Sequence, residues 1–242
     1  ALGFPTNPLV GDTYKLGTQT YVWNGVAWAI QTMNPTLITA DSVAAQPWRN
    51  GGGITRELAA GPDAAAWRWR ISVAEVAQDG PFSHFPGVDR FFAVLSGAGV
   101  CLTFPDRSVV LTAQDEPLAF SGASACDCRL LSGPTLDFNL MSQGLHAKLV
   151  RCQDRKQDVE AQASDILGFY AIEPLQIISQ DASLEVPAHT LCWLVATHAL
   201  ALQGKGASFL AWSLSSHSSV VATKRWPMQN RANTPSPCLS SW

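Results

Sequence analysis

Short stretches of alternating apolar and polar residues recur along this chain and constrain its fold more than any other feature. "WRWRISVAEV" (residues 67–76) alternates strictly, and "RFFAVLSGAGVCLTF" (90–104) reads as two apolar strands around a glycine-containing turn. Further strands follow at even spacing in "EPLAFSG", "CDCRLLSG" and "TLDFNLMS". Successive side chains of a strand point to opposite faces, and clusters of Gly, Pro, Asp and Ser end strands. The spacing predicts an all-β sandwich or barrel.

Composition limits the classes of partner. A hydrophobic content of 47% over 242 residues supplies a core for one large or two small domains. Lys and Arg total 16 against 19 Asp and Glu, so the chain lacks the basic field that binds nucleic-acid backbones. No apolar run reaches the roughly 18–20 residues of a membrane helix, and "ALGFPTNPLVGD" lacks the pattern of a secretion signal. We expect no nucleic-acid partner, no membrane association and a cytoplasmic location.

The six cysteines are scattered through a chain far larger than a disulfide-stapled mini-domain, and we interpret them as reduced thiols. Cys126 and Cys128 are the one close pair. Without a second pair of Cys or His residues they indicate alternation along one strand rather than a zinc site.

The first 31 residues form a predicted domain of their own, a small β meander. Hairpin signals at Gly17-Thr18 and Asn24-Gly25 separate short aromatic strands that carry Trp23 and Trp28. The pattern resembles the Tyr-x-Trp-Asn-Gly-x-x-Trp modules of phage tail and other virion proteins. This resemblance favours an adhesion or oligomerisation module over a sugar-binding one, because two tryptophans supply little core.

The remaining chain divides into three predicted parts. Residues 35–150 and 151–215 each hold a set of strands, and the charged stretch "RCQDRKQDVEAQ" (151–162) is interpreted as a connector or a short helix between them. Residues 216–242 are rich in Ser, Pro and Asn, which predicts a loosely ordered tail with at most one strand.

Strand parity places polar residues together on one face of three strands. The pairs that share a face are Thr55 with Glu57, Arg70 with Ser72, and Asp137 with Asn139. In a half-buried sheet such a face meets water. In a small barrel it points into the lumen, where these groups must bind one another or a ligand. Both interpretations are open at the level of sequence.

The run "QPWRNGGGITREL" (46–58) contains the most unusual local feature, the consecutive Gly51, Gly52 and Gly53. Glycines adopt positive φ, allow close approach to the backbone and present successive N–H groups to an anion. Arg49 or Arg70 would add a charge-assisted clamp on a carboxylate. The alternative is a glycine bulge that turns a barrel corner.

A second unusual loop, "DGPFSHFPGVDR" (79–90), ends with Asp89 and Arg90 at the start of a strand. These two residues either reach a pocket or form a local ion pair. His84 in the same loop is a candidate general base, but neither a Ser-base pattern nor a Cys-His pair accompanies it.

Taken in order, "PWRNGGGITREL", "WRWRISVAEVAQDGPFSHFPGVDR", "LSGAGVCL", "PLAFSG" and "GPTLDFNLM" resemble the HutD/Ves family of cupin-like proteins. The resemblance implies a bicupin, two cupin-like antiparallel β-barrel halves in one chain, preceded here by the small β meander. HutD members accompany histidine-utilisation genes and are thought to bind a small acidic metabolite such as urocanate or a formylated or formimino glutamate. Ves members are linked to stress responses.

The family pattern and the strand parity together predict a ligand-binding pocket in the first barrel half. The predicted pocket residues are Trp48, Arg49, Asn50, Gly51, Gly52, Gly53, Thr55, Glu57, Arg70, Ser72, Glu75, Asp89, Arg90, Asp137 and Asn139. Many cupins hold a metal through closely spaced histidines, but the five histidines here never fall as His-x-His. We therefore predict neither a metal nor another cofactor.

Three functions are compatible with these features. The leading hypothesis is a metal-free, non-catalytic protein that binds a small carboxylate metabolite and modulates histidine utilisation or a stress response. The first alternative is an enzyme acting on a small amide, formimino or imidazole compound, with Glu57 or Glu75 as general acid or base. The second is a virion-type structural or adhesive protein that works through Trp23 and Trp28. Fold analogy predicts a homodimer paired through sheet edges.

Overall fold

A computed structural model describes residues 3–10, 12–16, 19–23, 25–30, 35–179, 183–196 and 200–216. Apart from a short 3-10 turn at Ala40–Ser42, its regular elements are strands, which confirms the predicted all-β class. In chain order they are β1 Thr13–Leu16, β2 Gln19–Trp23, β3 Trp28–Ile30, β4 Thr36–Thr39, β5 Gln46–Pro47, β6 Gly53–Gly61, β7 Trp69–Val76, β8 Gly80–Pro81, β9 Asp89–Ser96, β10 Val100–Thr103, β11 Ser108–Leu111, β12 Leu118–Ser121, β13 Asp127–Leu130, β14 Thr135–Ser142, β15 His146–Ala161, β16 Ile166–Ala171, β17 Leu175–Ile178, β18 Ser183–Val186, β19 Thr190–Val195 and β20 Leu200–Ser215.

The chain divides into two compact units, one built on residues 43–147 and the other on residues 1–42 and 148–214. The first, here called the cavity unit, contains a six-stranded sheet in the order β12-β9-β14-β7-β6-β5 and a four-stranded sheet in the order β11-β10-β13-β8. Buried side chains from both sheets form one core cluster, which includes Val76, Phe92, Val94, Val100 and Leu102. The alternation seen in the sequence therefore directs one face of each sheet into a shared interior.

The second unit, here called the filled unit, contains a seven-stranded sheet in the order β18-β17-β20-β16-β19-β4, with β15 paired to β20. Its edge strand β4 precedes the cavity unit in the chain and pairs antiparallel with β19. Phe169, Phe209, Leu167, Leu175 and Ile177 are fully or almost fully buried in its core. The core of the filled unit therefore consists of apolar side chains that pack against one another.

The charged stretch that the sequence suggested as a connector or helix is a strand. Its residues 151–161 belong to the 16-residue β15, which pairs with β20, and residue 162 follows the strand. Most of its charged positions are exposed, whereas Cys152 and Ala161 are buried in the core of the filled unit. The prediction was wrong because an exposed run of charge also fits a long strand whose apolar positions are few.

Strands β1, β2 and β3 form a separate three-stranded antiparallel sheet. The ring of Phe4 lies 5.4 Å from Tyr14, 4.9 Å from Tyr21 and 5.5 Å from Trp28, between centroids. Trp23 and Trp28 are 5.7 Å apart. The predicted turn residues 17, 18 and 24 lie outside the described residues, as do residues 217–242 of the predicted tail.

One cysteine departs from the prediction that all six are reduced. Cys101 is disulfide-bonded, whereas Cys126, Cys128, Cys152 and Cys192 are buried free thiols. The prediction was wrong for Cys101 because chain size and cysteine spacing do not determine whether a given thiol is oxidised. No helix among the described residues is long and apolar enough to cross a membrane.

Candidate functional site

The candidate site is organised by the register of three adjacent strands, β7, β14 and β9. Met141 lies opposite Arg70 on one side and opposite Arg90 on the other. In the next row of the same face, Asn139 lies between Ser72 and Phe92. Neighbouring strands are about 4.8 Å apart, so the backbones of the two arginines are separated by roughly 10 Å. The sheet thus brings together arginines that are 20 residues apart in sequence.

This face lines an open cavity of about 650 Å³, a size suited to a small molecule. The lining residues come from β5, β6, β7, β8, β9, β14 and the loops before β6 and β9: Gln46, Pro47, Trp48, Arg49, Asn50, Thr55, Arg70, Ser72, Ala74, Val76, Pro81, Phe82, Ser83, Phe85, Arg90, Phe92, Asn139 and Met141. No Asp or Glu belongs to this lining. The polar part of the lining therefore consists of cations, amides and hydroxyls.

Arg90 is the most deeply buried charged residue of the lining, with 6% of its surface exposed. Its guanidinium carbon lies 5.1, 5.7 and 5.0 Å from the ring centroids of Phe82, Phe85 and Phe120. One Nη donates a hydrogen bond of 3.0 Å to the Asn139 side-chain oxygen. Aromatic faces attract a cation, so these rings and the amide hold the guanidinium in place without neutralising it.

No carboxylate among the described residues forms an ion pair with Arg90, and its buried Nε has no hydrogen-bond partner. Burial lowers the pKa of Arg90 to about 10; the Cys126 thiol acts in the opposite direction, and the charge of Arg70 lowers the pKa further. Arg90 thus keeps its proton at neutral pH but is a buried cation without a counter-ion. Such a group is costly unless an anion joins it.

Arg70 differs from Arg90 because it has a carboxylate partner. Its Nε lies 2.6 Å from Glu57 Oε2, and the side chains are 20% and 32% exposed, respectively. Arg70 Nε has no aligned hydrogen bond, so this contact is an ion pair with poor N–H geometry. Glu57 lies outside the cavity lining on the neighbouring strand β6, opposite Ser72.

The triple glycine builds the wall of the cavity that carries Trp48. Gly51 has φ of 72° and donates its N–H to the Trp48 carbonyl, while the Gly52 N–H bonds to the Asn50 side chain. A Cβ on Gly53 would overlap the Glu75 carbonyl and lie 3.3 Å from the Trp48 ring. The amides of Gly51 and Gly52 are thus used inside the loop, and the run allows a tight turn and a close strand contact.

Trp48 closes one side of the cavity. Its Nε1 donates a hydrogen bond of 2.7 Å to Thr55 Oγ1, which orients the indole along β6. Buried tryptophans need a partner for the indole N–H. Thr55 therefore both lines the cavity and positions Trp48.

Eight predicted site residues lie in the cavity lining and seven do not. Those in the lining are Trp48, Arg49, Asn50, Thr55, Arg70, Ser72, Arg90 and Asn139. Those outside it are Gly51, Gly52, Gly53, Glu57, Glu75, Asp89 and Asp137. Glu75 and Asp89 are exposed, as is the loop residue His84. Two residues were candidates for a general acid or base. Glu57 lies next to the cavity because it pairs with the lining residue Arg70, whereas Glu75 is exposed to solvent.

The apolar part of the lining was not predicted from the sequence. Strand parity already placed Ala74, Val76 and Met141 on the same faces as Ser72 and Asn139, but apolar residues gave no functional signal. Phe82 and Phe85 come from the loop before β9 and become part of the site only through the fold.

Asp137 lies fully buried on the inward face of β14, one row beyond Asn139. Burial raises its pKa to about 7, partly offset by a hydrogen bond of 2.8 Å that Thr135 Oγ1 donates to Oδ2. The other oxygen, Oδ1, has no hydrogen-bond partner. Near neutral pH this carboxyl therefore exchanges a proton.

In the described ranges, no group of three or more His, Cys, Asp or Glu is arranged to hold a metal ion.

A sequence model of the HutD family matches residues 40–212, which include both units. The chain belongs to the HutD family. A 21.2 kDa protein encoded in the hutC 3' region of Pseudomonas putida, itself uncharacterised, is 33% identical over 145 residues, which are 58% of this chain and 76% of that relative. Protein Ves of Escherichia fergusonii is 38% identical over 111 residues, 45% of this chain and 58% of Ves.

A solved structure of HutD from Pseudomonas fluorescens SBW25, obtained in a formate condition, superposes with a TM-score of 0.66. It is 27% identical and covers 75% of this chain and 98% of that one. These relatives confirm the predicted membership of the HutD/Ves family with its cupin-like fold.

Proposed function

We propose that this HutD-family protein is a metal-free binding protein that holds a small carboxylate metabolite in the cavity unit. Arg90 carries the proposal, since it is a buried cation that lines a cavity of about 650 Å³ and has no carboxylate partner in the part of the chain that the structure describes. A carboxylate ligand supplies the missing counter-ion. Hydrogen bonds between guanidinium and carboxylate are charge-assisted and favour a bidentate geometry.

The rest of the lining suits the uncharged part of such a ligand. Ser72, Thr55 and Asn50 offer hydroxyl and amide groups, whereas Phe92 and Met141 offer apolar surface. Small-molecule sites commonly combine an apolar wall with a few polar groups that orient the ligand.

The family associations extend the proposal to its context. We infer that ligand binding modulates histidine utilisation or a stress response in the cytoplasm, and that the two units are the two halves of a bicupin preceded by the small meander. A homodimer paired through sheet edges remains the prediction for the assembly.

Calorimetric titration with formate, urocanate and formylglutamate tests the proposal. Wild-type protein is expected to bind at least one of these anions, and Arg90→Gln should weaken that binding by at least tenfold because it removes the buried charge. Arg107→Gln is the matched control, since Arg107 also stacks on a phenylalanine ring, Phe104, but lies outside the cavity.

Equal binding by wild type and Arg90→Gln, with both proteins folded by circular dichroism, would place the anion elsewhere. No binding of any of the three anions by wild type would contradict the proposal. Recovery of unchanged ligand after prolonged incubation separates binding from the enzymatic alternative.

A further inference from the structure

The lining of the cavity carries positive charges, and the carboxylate of Glu57 lies next to the lining without belonging to it. Three arginines belong to the lining: the exposed Arg49, together with Arg70 and Arg90 farther inside. Glu57 lies opposite the lining residue Ser72, does not belong to the lining itself, and forms an ion pair with Arg70. Glu57 therefore balances the charge of Arg70, whereas no carboxylate among the described residues balances the charge of Arg90.

The two inner arginines are close enough to influence each other. Both flank Met141 in one row of the sheet, and the charge of Arg70 acts unfavourably on that of Arg90. Without Glu57, this row would present two positive charges to a single ligand. With Glu57 in place, a second negative charge on the ligand would approach the Glu57 carboxylate.

We propose that Glu57, through its ion pair with Arg70, restricts the cavity to anions that carry a single negative charge. The inference rests on the proposed function, because it assumes that Arg90 receives a carboxylate in this cavity. Glu57 is then a specificity-determining residue that acts through Arg70 and need not touch the ligand. Discrimination arises because a like charge in a partly desolvated site repels the unwanted ligand.

The geometry of the pair supports this role over a purely stabilising one. Glu57 and Arg70 are partly exposed, and the ion pair lacks an aligned hydrogen bond at Nε. Exposed pairs contribute only about 0–1 kcal/mol to stability. Removing the Glu57 charge is therefore expected to leave the fold intact while changing the electrostatic potential of the cavity.

Oxamate and oxalate provide a matched pair of probes, because they have nearly the same shape and differ by one charge at pH 7.5. The experiment measures the dissociation constants of both anions by calorimetry at low ionic strength. It compares wild type, Glu57→Gln, the charge-retaining Glu57→Asp, and Asp106→Asn. Asp106 is a matched control because it also pairs with an arginine, Arg107, but both residues lie outside the cavity.

Wild type is expected to bind oxamate more tightly than oxalate. In Glu57→Gln the ratio of the two constants should shift toward oxalate by about tenfold or more, the effect of one additional charge-assisted contact. Glu57→Asp and Asp106→Asn should retain the wild-type preference. A shift of less than about twofold in Glu57→Gln, or a wild-type preference for oxalate, would overturn the inference while leaving the anion site intact.

Arg70→Gln gives an independent test if Glu57→Gln folds poorly. It leaves Glu57 uncompensated, so both anions should bind more weakly than to wild type, and oxalate should lose more affinity than oxamate. Equal affinities in wild type and Arg70→Gln would contradict the inference. If wild type binds neither oxamate, oxalate nor formate, the proposed function itself fails and the role of Glu57 fails with it.

Discussion

The cavity unit and the filled unit use the same kind of antiparallel strands but place different side chains in their interiors. In the cavity unit, the inward rows of β7, β14 and β9 include Arg70, Asn139 and Arg90 around a space of about 650 Å³. In the filled unit, Phe169 and Phe209 meet in the core, and a void lined by Phe169 and Leu167 measures about 10 Å³. A void of that size holds one water molecule at most.

The contrast shows that inward residue type, rather than strand number, separates a binding interior from a packed one. Two aromatic rings fill the interior of the second unit, and Gly204 makes room for them, because a Cβ there would lie 2.7 Å from Phe169 and 2.8 Å from Phe209 ring carbons. In the cavity unit, charged and amide groups on the inward face, Arg70, Arg90 and Asn139, oppose complete packing. We therefore expect the filled unit to respond to changes in packing and the cavity unit to respond to changes in charge.

The largest expected effect is on packing. Phe169→Ala should lower the free energy of unfolding by about 3–5 kcal/mol, because it leaves a cavity in a closed core. Phe85→Ala, which removes a half-buried ring from the open cavity, should cost only about 1 kcal/mol. Urea denaturation of both variants tests the comparison; similar losses would show that the two interiors do not differ in packing.

The next effect concerns Asp137 and the pH dependence of stability. Its pKa is raised to about 7 in the folded protein, so between about pH 4 and pH 7 the folded state keeps a proton that the unfolded chain has released. Stability should therefore fall as pH rises through this range, by on the order of 3 kcal/mol from this group. Asp137→Asn should abolish that loss while keeping an acceptor for Thr135.

The measurement is urea denaturation of wild type and Asp137→Asn at pH 5, 6, 7 and 8. The gain in stability of the variant over wild type should grow with pH. The exposed Asp106→Asn should follow the wild-type profile as a control. Parallel profiles for wild type and Asp137→Asn would contradict the assignment of this titration to Asp137.

The smallest of the three effects tests the glycine that accommodates the aromatic core. Gly204→Ala should destabilise the protein by about 1–3 kcal/mol because the new methyl group overpacks the Phe169 and Phe209 rings. Gly80→Ala in the cavity unit should change stability by less than about 0.5 kcal/mol, since its Cβ would meet nothing closer than 3.8 Å. Thermal melts of both variants are sufficient, and an unaffected Gly204→Ala would show that the rings shift freely.

Much of the fold and part of the site could be predicted from local sequence. Alternation along residues 67–76 and 135–142 predicted strands with one polar face, and both strands carry cavity residues on that face. The order of five motifs identified the family. These inferences succeed because successive side chains of a strand point to opposite faces. The position of a residue within its own segment therefore determines the face on which it lies.

Other features required contacts between distant segments. From sequence, Arg49 or Arg70 was the expected anion clamp, yet Glu57 pairs with Arg70. Arg90 is the cation that three aromatic rings hold without a carboxylate among the described residues. The strand character of β15 likewise depends on its pairing with β20, some fifty residues later in the chain. Nothing within the charged stretch itself marks that partner.

The sequence by itself therefore determined the β class, the family and the faces on which polar residues stand. Only the tertiary structure decided which of those residues neutralise one another, which Phe side chains surround Arg90, and which interior remains open. The physical reason is that the alternation of side chains between two faces is fixed within one strand. Charge pairing and cavity volume depend instead on the register between strands that are separated by tens of residues in the chain.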